Sequence, residues 1–518
     1  MFFLKNLNKI QIFQLLTLII FLLFFTRIIY FFNQADSELI TIIPDDAFYY
    51  IQIAKNFSIN GQWSLDGLTK TSGFHLLYAL LLFLIFEIFP SITWQILYLI
   101  IGIISSLLIA ISVLILLITA DKIFNEKVAI LSTISFVGFY GSALSSIMME
   151  SFLIIFFNSM TIYLILIKKI NNKCKFFLFF IGILGALARI EYCILPGILF
   201  IFSIALHFIN YKKYLINSFY IFSGAVLGFV LSTLKNYLIS GQLIQGSAKI
   251  KLFWSSLETF SIKPTLNIVA KILFPFLSRN TSDVFLLFFG VAIFSIFIFL
   301  FSKKKQFLKK IKENLEFFII YLSLICAVIL YILFYSLNSA ALQIWYAASF
   351  ISLIGVIISG TTFFFFNKIT SRVVVIIFIF YYLIGILNLK TAPYRHQAGM
   401  LLAALNIKNN HDIQIIGSWN AGILSYFSNK QVVNLDGLAN DNVYNFIINN
   451  TLFDYIQKEK IHYIADYDFM FNEGNKKKGG YLDKRFDQCI NKKFQIDDNQ
   501  KKWQNSNLYL YKFNINCK

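Results

Sequence analysis

Asp45 and Asp46 stand side by side in Pro44-Asp45-Asp46-Ala47-Phe48-Tyr49-Tyr50, just past the first long apolar segment of a chain that otherwise excludes charge. An ionisable pair at a membrane boundary costs free energy to desolvate and marks a path or a reaction centre. It also suits a helix start, because Phe48, Ile51, Gln52 and Lys55 follow with helical spacing and aspartates cap free N–H groups. Other polar residues accompany the pair: Asp66, Lys70 and His75; Glu150 between two apolar runs; Arg189 and Glu191 at the end of another. Asn236, Gln245, Ser247, Lys249 and Lys251 open a long loop, and Trp345-Tyr346 begins a later apolar run. Singly, each has a structural role to hand: a cap for Glu150, a local ion pair for Arg189 with Glu191, a solvated loop for the lysines, an aromatic belt for Trp345-Tyr346. Gathered on one side of a membrane, the same carboxylates and cations suit group transfer from a lipid-borne phosphate. A carboxylate set against an acceptor hydroxyl acts as general base, while lysine and arginine hold a phosphate leaving group. An ion-coupled transporter would carry carboxylates in mid-span and broken helices in two matching halves, and the sequence has neither pattern.

What positions these residues is membrane. Of 518 residues, 58% are hydrophobic and 14% charged, with 60 phenylalanines, more apolar surface than a soluble domain can bury. The net charge of +19 sits in short loops: Lys5 and Lys9, Lys122 and Lys127, Lys168 to Lys175, Lys212 and Lys213, Lys303 to Lys312. That is the bias of cytoplasmic loops, and no basic stretch is interleaved with aromatics as a nucleic-acid surface would be. Anchored on those loops, spans fall near 10–32, 94–119, 128–147, 151–167, 176–191, 192–208, 217–238, 284–301, 316–336, 342–360 and 372–389. These make about eleven crossings, with the N-terminus inside and the C-terminus outside. The run 74–89 is short for a span, and a crossing there would move every later lysine-rich loop outside, so it is expected to be an interfacial helix. The first apolar segment is long and lacks a small-residue cleavage site, so it is expected to stay as an anchor.

The expected fold is therefore an all-α polytopic membrane bundle over 1–389, with a first outer loop at 33–73, followed by an extracytoplasmic α/β domain over 390–518. In that domain 413–417, 432–435, 461–465 and 508–513 read as strands, 421–428 as a short helix and 441–460 as helical. Cys489 and Cys517 share it and form either a disulfide or two free thiols. No metal-ligand spacing occurs among the five cysteines and five scattered histidines.

Four segments in order, PDDAFYYIQIAKN, TSGFHLLYALLLF, MMESFLIIF and ALARIEY, resemble the GT-C fold glycosyltransferases. These are polytopic enzymes that move a sugar from a polyprenyl-phosphate carrier to an acceptor on the extracytoplasmic face. The resemblance is to bacterial members, with protein O-mannosyltransferases and lipid A aminoarabinose transferases more distant. It continues in NYLISGQLIQGSAKIK and, in the outer domain, in IGSWNAGILSYFSNKQVVNLDGLAN. It implies Asp45 as general base, with Asp46 as its partner or as a contact to acceptor or metal. Glu150 matches the second acidic group, positioning the acceptor or sharing a cation with Asp45; Arg189, Lys249 and Lys251 are candidates for the carrier phosphate. His75 is either a hydrogen-bonding partner of donor or acceptor or a structural histidine at a helix entry. The chain departs from the family's pattern at Leu76, where proline is usual, at Met148, where glycine is usual, and at Asn420, where aspartate is usual.

The expected function is transfer of a hexosyl or pentosyl group at a bacterial inner or plasma membrane. The expected partners are a polyprenyl-phosphate-linked sugar and a lipid, glycan or protein acceptor. No cofactor is implied with certainty; a divalent metal is left open. The alternative is a transporter or flippase of a lipid-linked sugar.

Overall fold

The computed structural model describes residues 8–124, 143–167, 172–273, 304–337, 342–365, 392–497 and 506–517. The expected spans at 284–301 and 372–389, most of that at 128–147, and the domain boundary near 389 lie outside the described residues. In chain order the helices that frame the site are α1 (Lys9–Phe32), α2 (Asp45–Asn60), α3 (Leu76–Ile88), α4 (Trp94–Ile123), α5 (Ser151–Ile165) and α6 (Asn172–Ala188). They are followed by α7 (Ile194–Phe208), α8 (Lys212–Ser240), α9 (Gly246–Ser256), α10 (Leu315–Ser336) and α11 (Ala348–Phe365). Among the described residues six helices are long and apolar enough to cross a membrane: α1, α4, α8 and α10, and α7 and α11 together with the 3-10 turns Ile190–Cys193 and Ile344–Ala347 that lead into them. The protein is an integral membrane protein.

The helix within 74–89 is α3, 13 residues long. At about 1.5 Å per residue it spans roughly 20 Å, short of a hydrocarbon core of about 30 Å. It packs along α2 and against α6. Helices α6 and α8 pack closely, with Gly224 against the Phe179 carbonyl and Gly228 against Ile183. Glycines one turn apart remove the side chains that would hold two backbones apart, the usual device for close packing in lipid.

The C-terminal region, called the outer domain for its expected position, carries helices α12 (Gln397–Lys408) and α13 (Gly422–Phe427) and a five-stranded sheet. Its strands are β1 (Ile415–Ser418), β2 (Gln431–Asn434), β3 (Tyr463–Tyr467), β4 (Ile490–Gln495) and β5 (Leu508–Phe513), in the order β2-β1-β3-β5-β4. β2, β1 and β3 run parallel, and β5 and β4 extend the sheet through antiparallel pairings. The expected helix over 441–460 is instead two short ones, Tyr444–Ile448 and Leu452–Lys458. Asn450 between them takes φ 56°, a left-handed conformation that asparagine tolerates and that ends a helix. Cys489 and Cys517 form a disulfide, tying the start of β4 to the end of the chain.

The core is divided. One cluster runs through the bundle and continues into α12, α13 and one face of the sheet; the second fills the other side of the sheet. Helix α9 joins the two regions, because Ile250 and Trp254, one turn apart, bury in that second cluster. Ser247 and Lys251 of α9 are left for the site, and the edge of Trp254 reaches the larger chamber described below.

Candidate active site

Helix α2 begins at Asp45 behind Pro44, which occupies the cap position with extended backbone (φ −66°, ψ 151°) and gives no side-chain cap bond. The aspartates therefore do not cap their own helix. Asp45 reaches instead to the outer domain, where its two oxygens accept from Gly422 N–H (3.1 Å) and Ile423 N–H (2.7 Å), the free amides that open α13. The backbones meet so closely here that a Cβ on Gly422 would run into the Asp45 carbonyl. Tyr49, one turn along α2, tightens the same junction: its Oη accepts from Ala421 N–H (3.0 Å) and donates to the Trp419 carbonyl (3.2 Å).

Asp46 is turned the other way. Its carboxylate is half-buried, carries no hydrogen bond or ion pair among the described residues, and lines two adjoining cavities. Burial pushes the Asp45 carboxyl up to about 7, the backbone N–H bonds working against that push. Burial raises Asp46 as well, opposed by the Lys251 charge. Burial draws the Lys251 ammonium down, but Tyr346 and Asp46 outweigh it and hold the group above the ordinary lysine range.

The first cavity, about 440 Å³, is lined by Asp46, Tyr50, His75, Glu150, Arg189, Gln245, Ser247, Lys251, Trp345 and Tyr346 among others. Glu150 enters it from the start of α5. Met148, two residues before it, adopts φ 52°, which explains why glycine suits this position in the resembling family. The Tyr78 hydroxyl donates to the Met148 carbonyl (2.6 Å) and fixes the turn. Arg189 Nη1 donates to Glu150 Oε1 (2.8 Å) and its Nε donates to Glu191, which also accepts from the Tyr335 hydroxyl (2.7 Å). One guanidinium thus lies between two carboxylates and has no net charge to offer an anion. Glu150 Oε2 is buried with no partner among the described residues, and His75 Nε2 stands 3.8 Å from Oε1, beyond hydrogen-bond reach.

Lys251 lines this cavity and two that adjoin it. One, of about 500 Å³, lies around Arg189, Glu191 and Tyr335; the other, of about 1530 Å³, extends beneath the outer sheet. Its Nζ donates to the neutral Tyr346 hydroxyl (2.7 Å), and among the described residues its charge is not matched by a carboxylate within ion-pair distance. Helical geometry sorts the residues of α9: Ser247 and Lys251, four apart, share the cavity face. Lys249 projects elsewhere, donating to Gln242 Oε1 (2.6 Å) and lying 4.0 Å from the Tyr444 ring centre.

The structure therefore brings together Asp46, His75, Glu150, Arg189 and Lys251, leaves Asp45 on the wall of the larger chamber alone, and leaves Lys249 outside the cluster. Sequence reasoning missed Tyr49, Tyr335 and Asp441. Asp441 Oδ2 accepts from the N–H (2.9 Å) and hydroxyl (2.6 Å) of Ser72, whose Oγ accepts from Gly246 N–H (3.0 Å). A single outer-domain carboxylate thereby pins the loop that delivers His75 and the start of the helix that delivers Lys251. Its only sequence signal is its place directly after the outer-domain motif that ends in NLDGLAN.

Among the described residues no three His, Cys, Asp or Glu side chains gather as a binding group. The oxygens of Asp45 are taken by backbone amides, and Glu150 is paired with a cation, so the two do not present a chelating pair.

No family model matches the chain, and no curated protein is similar to it in sequence. Solved structures are similar in fold. ArnT from Cupriavidus metallidurans, bound to undecaprenyl phosphate, superposes with a TM-score of 0.54 at 10% identity over 96% of this chain and 97% of that one. The apo Archaeoglobus fulgidus oligosaccharyltransferase gives 0.53 at 13% identity over 90% of this chain and 71% of that one. The same enzyme with zinc and sulfate gives 0.50 at 12% identity over 82% of this chain, which spans only 64% of the enzyme's length. With its apolar bundle, its outer sheet and these relatives in structure, the chain has the GT-C fold that its ordered motifs imply.

Proposed function

We propose that the protein is a membrane glycosyltransferase that moves a hexosyl or pentosyl group from a polyprenyl-phosphate carrier to an acceptor hydroxyl on the extracytoplasmic side of a bacterial inner or plasma membrane. One observation carries the reading: Asp46, an unengaged carboxylate, stands between two chambers and faces Lys251, the cation of the cluster not matched by a carboxylate within ion-pair distance among the described residues. The similar ArnT structure holds undecaprenyl phosphate, a carrier of the class proposed.

In the proposed step the acceptor oxygen attacks the anomeric carbon of the sugar while the bond from that carbon to the phosphate oxygen breaks. The phosphate leaves with the bonding pair. The acceptor's proton passes to Asp46 as general base and is then shed to water. Lys251 stabilises the charge that grows on the departing phosphate, as a preorganised cation in a partly dry cavity does. Arg189, held between Glu150 and Glu191, positions Glu150 and the cavity wall rather than binding the anion itself. The general-base role moves from Asp45 to Asp46 because both oxygens of Asp45 are hydrogen-bonded to α13. His75 and the free oxygen of Glu150 face the same space and are assigned to hydroxyls of the sugar.

Purified full-length protein incubated with radiolabelled polyprenyl-phosphate sugars and an envelope acceptor fraction should form a new glycoside. Movement of the carrier across a vesicle membrane with no glycoside formed would replace this reading with transport.

A further inference from the structure

Of the chamber of about 1530 Å³ beneath the outer sheet, about 450 Å³ is open to a water-sized sphere, within the roughly 300–1,000 Å³ of small-molecule sites. It opens at the carboxyl ends of the parallel strands: Trp419 and Asn420 follow β1, and Asp436 follows β2. That end of a parallel sheet is where ligands collect, because the loops there are free to vary while the strands hold them rigid. Asp46 and Lys251 lie on its wall, so the chamber is continuous in lining with the cavity where the phosphate is proposed to sit.

Its surface has a distinct chemistry. Trp254 and Trp419 stand side by side, ring centres 5.1 Å apart and tilted by 34°. Trp254 is fixed by its own Nε1–H, which donates to the Lys478 carbonyl (3.1 Å). The Trp419 backbone is fixed by Asp466, which accepts its N–H (3.0 Å). By contrast, Trp419 Nε1 and Asn420 Nδ2 are buried and donate to nothing among the described residues. Buried donors without a partner are uncommon and call for an explanation, and a ligand that supplies the acceptor is one. The charge on Lys478 is answered by Glu258 (2.6 Å), and the aromatic faces and neutral donors share the wall with the carboxylates of Asp45, Asp46 and Asp436 and the Lys251 ammonium.

We infer that the acceptor is a carbohydrate, bound in this chamber with a ring face on Trp419, which Trp254 backs from the core, and its oxygens on Trp419 Nε1 and Asn420 Nδ2. The inference rests on the transferase reading above, since it names the second substrate of the same site. Aromatic planes beside uncharged donors match a sugar, which offers apolar C–H faces and oxygen acceptors together. An acyl chain would leave both donors unmet.

The test uses full-length protein in lipid nanodiscs, titrated with neutral oligosaccharides of two to four rings (maltotriose, chitotriose and mannotriose among them) and followed by tryptophan fluorescence and calorimetry. At least one should bind, and Asn420→Leu should weaken it at least tenfold, with Trp419→Phe, which removes the indole donor and keeps an aromatic face, acting in the same direction. If Asn420→Leu fails to fold, Asn420→Asp serves instead, because it deletes both amide donors with little change of shape. Absence of binding by every saccharide, binding untouched by these changes, or displacement by an Asn-Val-Thr peptide rather than by saccharide overturns the inference. Undecaprenyl phosphate binding is measured on the same samples: it should persist in the Asn420→Leu variant and be lost in Lys251→Met. Failure of the carrier to bind the unaltered chain would sink the donor reading and leave the saccharide result standing on its own.

Discussion

The two chambers that meet at Asp46 are built on opposite plans. The inner one is small and crowded with charge: Arg189 is held by Glu150 on its wall and by Glu191 from an adjoining cavity, and Lys251 has no carboxylate within ion-pair distance among the described residues. The outer one is more than three times as large and mixes carboxylates (Asp45, Asp46 and Asp436) and lysines (Lys251 and Lys478) with indoles and amides, of which Trp419 Nε1 and Asn420 Nδ2 donate to nothing among the described residues. On the proposed function, the difference lets a phosphate and a polyhydroxyl partner be handled in adjoining spaces: the guanidinium paired between carboxylates stands by the inner one, and the unmet indole and amide donors stand by the outer one.

The largest effect should come from the residue shared by both chambers. Asp46→Asn should lower glycoside formation by about 10²–10⁴-fold, the range for a lost general base, with folding and carrier binding retained. Asp45→Asn should act through docking of the outer domain, seen as a lower melting temperature. If the Asp45→Asn protein is well folded yet as inactive as the Asp46→Asn protein, the division between the two carboxylates fails.

Next in size, Lys251→Met should cost about 10²-fold or more in turnover, while Lys249→Met should stay within a few-fold of the unaltered chain. Equal losses would mean that the facing assigned to α9 is wrong.

A smaller effect concerns the support of the outer chamber. Burial pushes the Asp466 carboxyl up to about 7, against hydrogen bonds from Tyr481 and from the backbone at Trp419. An unfolded aspartate titrates near 4, so between about pH 4 and 7 the folded state binds more protons than the unfolded one. This contribution is fully present below about pH 4 and is lost as pH rises through about 7. The outer domain should therefore become less stable over that interval by a few kcal/mol, and Asp466→Asn should flatten the slope in melts taken across it. An unchanged slope would show that Asp466 is not the group responsible.

The smallest test is at Met148. Met148→Ala and Met148→Gly both remove a buried side chain, but only glycine is at ease at φ 52°. The glycine form should be the more stable of the two by about 1 kcal/mol, the reverse of the order expected at an ordinary helix position.

Much of the architecture and part of the site are legible in the sequence. Asp46, Glu150, Arg189 and Lys251 stand out because a chain of this composition excludes charge unless it is used. Apolar periodicity gives the short α3, and it places β1, β2, β3, β5 and α13 within a few residues of where they lie. The sequence is silent where backbone atoms act: the amides of Gly422 and Ile423 that take Asp45 carry no side-chain signature and lie 377 and 378 residues away. Nor does it separate Lys249 from Lys251, because that needs the start of α9 to within one residue. β4 escapes notice because its central Lys492 and Lys493 read as loop, although lysine is a common way to guard an exposed sheet edge.

The bond between Asp45 and the amides of Gly422 and Ile423 has a consequence for biosynthesis. Its two halves emerge from the ribosome 377 residues apart for the Gly422 contact, so the acidic pair is made early and waits through most of translation for its partner. Contacts of such long sequence separation form last in folding, because the loop between them must close first. A nascent chain therefore holds its early helices well before it holds the junction at Asp45, and on the proposed function a newly inserted protein stays silent toward carrier lipids until the region around α13 has docked.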